Sequence, residues 1–429
     1  MKVSIEWLEQ FLPGEALDPE RCAEALTMAG LPVEHIEQVG DDIVLDVEVT
    51  SNRSDCLSVF GVAAELSALL DRPLRVDPVS RPDAGHEEVS SAVGVSIERL
   101  DLCPCFAARV IKGVKVGPSP DWMRRRLEAI GCRSISNIVD VTNYVLFELG
   151  QPLHAFDYDG LLGGKIVVRT AREGEIITSI DGHNRKLDPS MLVICDGARP
   201  VALAGVMGGA QTEVSDRTMN VLLESARFDP LSIRSTARKL AMKSDSSYRF
   251  ERGIDPTLAD RASLRAAELI LLTAGGDLLN GVAAAGAPGY EPVTLAMRLS
   301  HANRLLGFEL SPDDVVNAFE RLRLQPTRDG DEIRVSVPGN RLDLRIETDL
   351  VEEAARVIGY DRIPMRESIQ VTLQPSDPKR VAHTLVRNVL ASAGCYEAVT
   401  FSFVSDALAG DFLPDTAGRL QNRADLMEE

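Results

Sequence analysis

Hydrophobic and polar residues alternate in a way that divides the first 88 residues into a folded unit and a linker. Apolar side chains spaced within residues 1–11 predict a short helix, and residues 43–49 alternate as in a half-buried strand. A largely apolar run over residues 59–70 predicts a longer helix. Residues 71–88 are rich in proline and charge, which is typical of a linker. We therefore expect an N-terminal mixed α/β domain over residues 1–70.

Three further regions follow the linker. Strand and helix patterns mix over residues 89–283, and a strand, a capped helix and a strand–helix pair follow in residues 293–363. The last region, residues 377–429, starts with an amphipathic helix, after which aromatic and β-branched residues at 397–404 predict a strand. Helices and strands mixed in separate regions predict a multidomain α+β protein.

Charge and cysteine content narrow the class of function. The 429 residues carry a net charge of −19, which argues against binding nucleic acid over the whole surface. Basic residues are concentrated at Arg124–Arg126 and within residues 234–243, where a local phosphate contact is conceivable. Seven scattered cysteines without zinc-site spacing indicate reduced thiols in a cytoplasmic protein. The pattern predicts no membrane span.

The block Ser136–Asp157 is the most informative part of the chain. It is apolar and β-branched, yet Asn137, Asp140, Thr142 and Asn143 are placed within it, and it closes on a single histidine, His154. Buried hydrogen-bonding side chains each need a partner. We therefore expect this block to form one wall of a polar cavity.

Other segments carry side chains that suit the same cavity. Gly208 follows an apolar run and is followed by a second glycine, a pair for which we favour a tight turn over a close backbone approach. Glu224 ends a predicted strand, and Ser244 and Ser246 lie in a polar segment. Each has a purely structural alternative: a salt-bridge partner for Glu224 and a helix cap for the serines. A satisfied structural histidine is likewise the commoner role for His154.

A second acidic cluster lies in the third region. Asp349, Glu352 and Glu353 are spaced i, i+3 and i+4, which predicts one helical face, and Asp343 precedes them in a loop. Hard carboxylate oxygens suit Mg²⁺. The spacing alone fits an ordinary solvated acidic helix better.

Long motifs resemble one protein family. The blocks SNIVDVTNYVLFELGQPLHAFD, NVLLESARFDPLSIR, SDSSYRFERGIDP and PGNRLDLRIETDLVEEAARVIGYDRIP are similar to those of the beta subunit of bacterial phenylalanyl-tRNA synthetase. The openings MKVSIEWLEQFLP and VEVTSNRSDCLSVFGVAAEL resemble it too, and the likeness follows the family's order to about Ser405.

The resemblance implies a fold and a site. It implies an editing domain over residues 89–283 that hydrolyses tyrosine wrongly esterified to the phenylalanine tRNA. It also implies a magnesium-binding winged-helix-like domain over 293–363 and the truncated start of a class II synthetase-like antiparallel core over 377–429. The inserted tRNA-binding barrel of most relatives is missing after Glu37. By motif, the editing pocket comprises His154, Gly208, Glu224 and Ser244, with Ser246 and Asn143 beside them, and the magnesium ligands are Asp343, Asp349, Glu352 and Glu353.

The same resemblance implies partners. An alpha subunit would hold the ATP and phenylalanine site, so that this chain has no residue for the synthetic step, within an alpha2-beta2 tetramer that binds tRNA and neither DNA nor a membrane. Two alternatives stay open on the sequence. One is a free-standing hydrolase of mischarged tRNA, and the other is a non-catalytic scaffold or nucleic-acid-binding protein.

Overall fold

The computed structural model describes residues 1–76, 82–287, 289–365, 367–368, 370–372, 374–405 and 407–408. The chain divides into two compact units, Met1–Pro364 and Met365–Glu429. No helix in the described ranges is both long enough and apolar enough to cross a membrane.

Helices and strands mix throughout the first unit, as the sequence pattern predicts. The helices of the described residues are α1 Ile5–Phe11, α2 Pro19–Met28, α3 Val59–Leu70, α4 Val89–Ala92, α5 Asp121–Ala129, α6 Asn137–Leu149, α7 Pro230–Lys239, α8 Asp245–Phe250, α9 Leu258–Ala274, α10 Leu299–Leu306, α11 Pro312–Arg321, α12 Glu347–Ile358 and α13 Pro378–Ser392. The strands are β1 Lys2–Ser4, β2 Val33–Val39, β3 Asp42–Val47, β4 Gly94–Ile97, β5 Cys105–Lys112, β6 Leu153–Asp157, β7 Lys165–Thr170, β8 Ile176–Thr178, β9 Asn184–Lys186, β10 Leu192–Cys195, β11 Pro200–Leu203, β12 Met207–Gly208, β13 Asn220–Arg227, β14 Asp277–Leu278, β15 Ala283–Gly286, β16 Val293–Arg298, β17 Thr327–Asp329 and β18 Glu332–Val337.

Two five-stranded sheets form the middle of the first unit. One has the order β12-β11-β10-β7-β4, and the other contains β14-β5-β13-β6 with β15 also paired to β5. In the second sheet β13 is antiparallel to both β5 and β6. Smaller sheets, β1-β3-β2 and β16-β18-β17, belong to the N-terminal and third regions. Only Gly40 and Asp41 separate β2 from β3, so the chain turns directly where the family's barrel insertion would stand.

Local sequence explains how the block Ser136–Asp157 folds. The Ser136 hydroxyl accepts a hydrogen bond from the Val139 amide and starts α6, and Gly150 ends it with a left-handed φ of 86°. The strand β6 begins directly after Pro152. The block is thus a buried helix followed by a central-sheet strand.

Most of the polar side chains in α6 are structural. The Asn137 amide donates to the carbonyls of Lys115 and Thr273 and accepts from the Gly117 amide, at 3.0–3.1 Å. Asp140, fully buried, accepts from the Ser119 and Ser134 hydroxyls and from the Ile135 amide. The expectation that the whole set lines a cavity is therefore wrong for Asn137 and Asp140, because both tie neighbouring loops to the helix.

In the first unit, residues on both sides of the predicted boundary at residue 70 share one apolar core. One apolar cluster joins residues from Val3 to Leu66 with residues from Ile111 to Leu278. A second cluster lies between the two five-stranded sheets, and a third lies within residues 297–354. The domain limits 1–70, 89–283 and 293–363 stay predictions about sequence regions, since the first two share a core.

A buried ion network joins α3 to α12. Glu65 accepts hydrogen bonds from Arg53 at 2.6 Å and from Arg356, and Arg356 also donates to Glu353 at 2.6 Å. Burial alone would raise the pKa of Glu65, but Arg356 and Arg53 hold it well below its ordinary value. The network comprises Arg53, Asp55, Glu65, Arg341, Asp343, Glu353 and Arg356.

The second unit departs from prediction. The helix α13 forms as its pattern predicts, with Asp377 as the N-cap. The predicted strand at residues 397–404 is wrong, because the described residues there adopt no regular structure. Phe401 and Phe403 are more than 90% exposed, so no packed sheet face holds them in a strand. The described part of 377–429 thus contains a helix and no strand of an antiparallel core, and residues 409–429 lie outside the described residues.

Candidate functional site

A cavity of about 270 Å³ brings together all six residues of the predicted editing pocket. Its wall is formed by α6, β6, the segment from β11 to β12, β13 and the start of α8. The predicted residues that line it are Asn143, His154, Gly208, Glu224, Ser244 and Ser246. Five separate segments of the chain therefore bring these residues into one largely apolar space, although their role stays a prediction.

His154 and Glu224 lie directly opposite each other on neighbouring strands. They are Cα partners in the antiparallel ladder of β6 and β13. Directly opposed residues of such a ladder project to the same face of the sheet, about 5 Å apart at Cβ. Both side chains therefore enter the cavity from the sheet that forms its floor.

Burial makes both groups neutral at pH 7. It raises the pKa of Glu224 to about 8 and lowers the pKa of His154 to about 4. Each shift has the same cause, because an apolar surrounding disfavours whichever form is charged. The pair is therefore a carboxylic acid beside a neutral imidazole, and not an ion pair.

Each of these side chains carries a buried polar atom without a partner. Glu224 Oε2 and His154 Nε2 are shielded from solvent and make no hydrogen bond in the described residues. Unpartnered buried polar atoms are costly, and most native proteins avoid them. Two such atoms lie at opposed positions of one cavity floor.

Gly208 is required by the histidine. A Cβ at this position would lie 2.4 Å from His154 Cε1 and 2.6 Å from Nε2, closer than carbon atoms approach. The neighbouring Gly209 has an extended φ of −94°. The tight turn favoured from sequence is therefore wrong for this pair: the glycines allow close approach of chain to chain, and the left-handed φ of 67° belongs to Gly205.

Ser244 and Ser246 differ in what they offer the cavity. The Ser244 hydroxyl donates to the Val206 carbonyl at 2.8 Å and accepts from the Ser247 amide, which caps α8. It therefore fixes the wall, as the structural alternative predicted. Ser246 and Asn143 are half-buried and line the cavity without a side-chain hydrogen bond in the described residues.

Sequence reasoning missed Glu213 in this site. It lines the cavity, and its backbone forms an isolated antiparallel bridge with Phe156 on β6. Nothing in the local sequence marks it, since it lies in a short irregular segment between β12 and β13. Only the pairing of that segment with β6 places it beside His154.

The four carboxylates predicted to bind magnesium do not form a ligand set. Asp343 accepts two hydrogen bonds from Arg341, and Glu353 is bonded to Arg341 and Arg356, while Asp349 accepts from two backbone amides at the start of α12. Asp349, Glu352 and Glu353 lie on α12 with the predicted spacing, but Glu353 is 3% exposed whereas Glu352 is exposed, so the two face different surroundings. The oxygens of Asp343, Asp349 and Glu353 are already bonded to arginines or backbone amides, which leaves Glu352 as the one exposed carboxylate of the four, and the set does not fit a metal ion.

The described residues do contain one tight group of potential ligands. Atoms of Asp55, Cys56 and Glu65 lie within 4.8 Å of one another. Arg53 donates to all three, at 2.6–3.2 Å, and supplies the positive charge itself. The group is thus part of the buried ion network.

Two family models match consecutive parts of the chain. The B3/4 domain model matches residues 102–275, and the tRNA synthetase B5 domain model matches residues 295–360. The first match contains every residue of the candidate cavity, and the second contains the carboxylates of α12.

Curated relatives share one name. The chain is 46% identical over 369 residues to the phenylalanine–tRNA ligase beta subunit of Halalkalibacterium halodurans, covering 85% of this chain and 45% of that protein. It is 41% identical over 433 residues to the beta subunit of Rhodopirellula baltica, covering all of this chain and 63% of that protein. The chain spans about half the length of the curated relatives it matches.

A solved N-terminal fragment of the phenylalanyl-tRNA synthetase beta subunit from Pyrococcus horikoshii aligns with 84% of this chain and 99% of the fragment. Its identity to this chain is 15% and its TM-score is 0.47. Identity above 40% over most of the chain, with matches to two domain models in order, shows that this chain belongs to the family of phenylalanine–tRNA ligase beta subunits.

Proposed function

We propose that this chain edits mischarged tRNA: it hydrolyses the ester that joins tyrosine to the phenylalanine tRNA. The observation that carries the proposal is the pair of unpartnered atoms, Glu224 Oε2 and His154 Nε2, on the floor of one cavity. A cavity of about 270 Å³ is close to the size of small-molecule sites and suits a single amino-acid side chain.

A tyrosine hydroxyl satisfies both atoms. It can donate one hydrogen bond and accept another, while a carboxylic acid and a neutral imidazole offer the complementary groups. Phenylalanine would leave both polar atoms buried and unpaired. Sites built to bond a hydroxyl reject the analogue without it by roughly 10⁴-fold or more, whereas a pocket shaped for phenylalanine rejects tyrosine far less strongly. The cavity therefore has the chemistry expected of a second selection step, one that binds tyrosine and rejects phenylalanine.

Hydrolysis in this proposal uses a positioned water molecule. The Ser244 hydroxyl is committed to the Val206 carbonyl and to the cap of α8, which removes the most obvious nucleophile. His154 and Glu224, both neutral, bind the side chain of the substrate and hold no proton at the ester. Asn143 and Ser246, which also line the cavity, are left to orient water and the ester carbonyl.

The wider assignment follows from the family. We propose that the chain acts as a beta subunit together with an alpha subunit, in a complex that binds tRNA and uses ATP and Mg²⁺ to attach phenylalanine. The relatives' printed name, phenylalanine–tRNA ligase beta subunit, supports this role. The carboxylates of α12 give it no support, since they are bonded to arginines and amides.

Deacylation of Tyr-tRNA and Phe-tRNA, both made on phenylalanine tRNA, tests the proposal with the purified chain alone and with an alpha subunit. We expect release of tyrosine and not of phenylalanine, and loss of tyrosine release in Glu224→Ala. Asp216→Asn, an exposed carboxylate outside the cavity, is the matched control and should keep full activity. Undiminished tyrosine release by Glu224→Ala would exclude this cavity as the editing site. Release that needs no alpha subunit would favour a free-standing hydrolase.

A further inference from the structure

The cavity contains one charged group. Its ionisable lining residues are His154, Glu213 and Glu224, and no lysine or arginine is present among the lining residues that the structure describes. His154 and Glu224 are neutral at pH 7 because burial shifts the pKa of each away from neutrality, to about 4 and about 8. Glu213, the remaining one, is an exposed carboxylate. The site therefore presents a single negative charge.

Strand pairing places that charge beside the floor of the cavity. The bridge between Glu213 and Phe156 is antiparallel, so the two side chains project to the same face of the sheet. The rings of Phe156 and His154 are in edge contact, with centroids 4.4 Å apart, and His154 is opposite Glu224. Glu213, His154 and Glu224 thus share one face, with Glu213 exposed, His154 half-buried and Glu224 buried.

The Glu213 carboxylate is also not paired with another side chain among the described residues. It makes no ion pair and no side-chain hydrogen bond with any residue in the part of the chain that the structure describes. By contrast, the carboxylates of Asp157 and Asp159 nearby each accept hydrogen bonds, from Thr218 and Asn220.

We infer that Glu213 recognises the α-ammonium group of an aminoacyl ester, and that the site thereby selects esters over free amino acids. The inference rests on the proposed editing function and adds a specificity residue to it. An aminoacyl ester carries a positive ammonium group and no carboxylate. This charge is complementary to the single negative charge that Glu213 gives the cavity. A free amino acid adds a carboxylate, which this cavity has no cation to receive and which Glu213 repels.

The arrangement has a consequence for turnover. Hydrolysis of the ester bond creates a carboxylate on the amino acid, next to Glu213. The product is then held less tightly than the substrate, and free tyrosine in the cell does not block the site.

Binding to the full chain tests the inference without any turnover. Three probes vary the charge near the site: L-tyrosinamide has the ammonium group, N-acetyl-L-tyrosinamide lacks it, and L-tyrosine has the ammonium group and a carboxylate. Calorimetric titration of wild type should show tyrosinamide bound about two- to fivefold more tightly than either of the others, the range of an exposed charge pair. Glu213→Gln should remove this preference, and the matched control Asp216→Asn should keep it.

The outcomes separate the two proposals. Equal affinity for the three probes in wild type, or an unchanged preference in Glu213→Gln, overturns the role of Glu213 and leaves the editing function standing. Failure of wild type to bind any of the three overturns both. An equal loss of affinity for all three probes in Glu213→Gln would also overturn the role of Glu213, because a charge contact would affect only the two probes that carry the ammonium group.

Discussion

Glu224 and His154 occupy opposed positions on β13 and β6, each neutral and each with one buried atom that has no partner. The same burial raises the pKa of the acid and lowers the pKa of the base, so a proton does not pass from one to the other at pH 7. A pair arranged in this way destabilises the folded chain and is ready to bond a hydroxyl.

The protonation of Glu224 should make the stability of the folded chain depend on pH. Its pKa is about 8 in the folded chain and 4.5 as an ordinary value, so the folded chain keeps a proton that the unfolded chain releases. This contribution to the free energy of unfolding is fully present below pH 4.5 and is lost as the pH rises to 8. Glu224→Gln should remove this loss. When the unfolding temperature is measured from pH 6.5 to 8, it should therefore fall less steeply with pH for the variant than for wild type.

His154 gives a control for that experiment, because it acts in another pH window. Its pKa is lowered from 6.5 to about 4, so its contribution is present above pH 6.5 and is lost as the pH falls toward 4. His154→Gln should therefore leave the slope between pH 6.5 and 8 unchanged. The same flattening in both variants would show that another group is responsible.

Gly208→Ala should displace the His154 ring. The new Cβ would lie 2.4 Å from His154 Cε1, and such overpacking costs about 1–3 kcal/mol of stability. We expect a lower unfolding temperature and loss of tyrosine release from Tyr-tRNA. Gly94→Ala is the control, since its Cβ would meet no atom within 4 Å. His154→Ala should restore stability in the double variant, and its failure to do so would show that the ring is not the obstacle.

Arg356→Met should destabilise the first unit strongly. The change leaves Glu65 and Glu353 buried with one cation fewer, and breaking a buried pair costs about 3–5 kcal/mol. Arg362→Met provides the comparison, because the pair of Arg362 with Asp314 is more than half exposed and should contribute less than about 1 kcal/mol. Chemical unfolding of both variants measures the difference, and equal midpoints would contradict the importance of burial.

Asp140→Ala should cost stability, while Asn143→Ala, three residues further along α6, should not. Asp140 accepts from two hydroxyls and one amide in the interior, and leaving these donors unpaired costs about 1–3 kcal/mol or more. Asn143 makes no such bond in the described residues and faces the cavity. Unfolding temperatures should therefore fall only for Asp140→Ala, with tyrosine release altered in Asn143→Ala. The reverse order would show that the assignment of the two side chains is wrong.

Periodicity and capping were sufficient to predict most helices and strands. The helix α11, for example, begins at Pro312 after a Ser311 cap, as its sequence indicates. The strand predicted at 397–404 is wrong because β-propensity reflects packing against neighbours, and Phe401 and Phe403 have none in the described residues.

Motif resemblance predicted the residues of the cavity, but not what each does. The hydroxyl of Ser244 is used by a cap, and Glu213 enters the site through an isolated bridge that no local pattern reveals. The carboxylates of α12 have metal-like spacing, yet their partners, Arg341 and Arg356, come from a loop and from the next turn of the helix. Spacing along the chain cannot show which charges are already paired in space.

The ion pair between Glu65 and Arg356 also sets an order of events during synthesis. The two residues are 291 positions apart, so the ribosome releases α3 long before the chain that carries Arg356. Until then Glu65 has Arg53 alone, and the carboxylate cannot be enclosed with its full complement of charges. The buried network around Glu65 is therefore complete only after the third region has emerged from the ribosome.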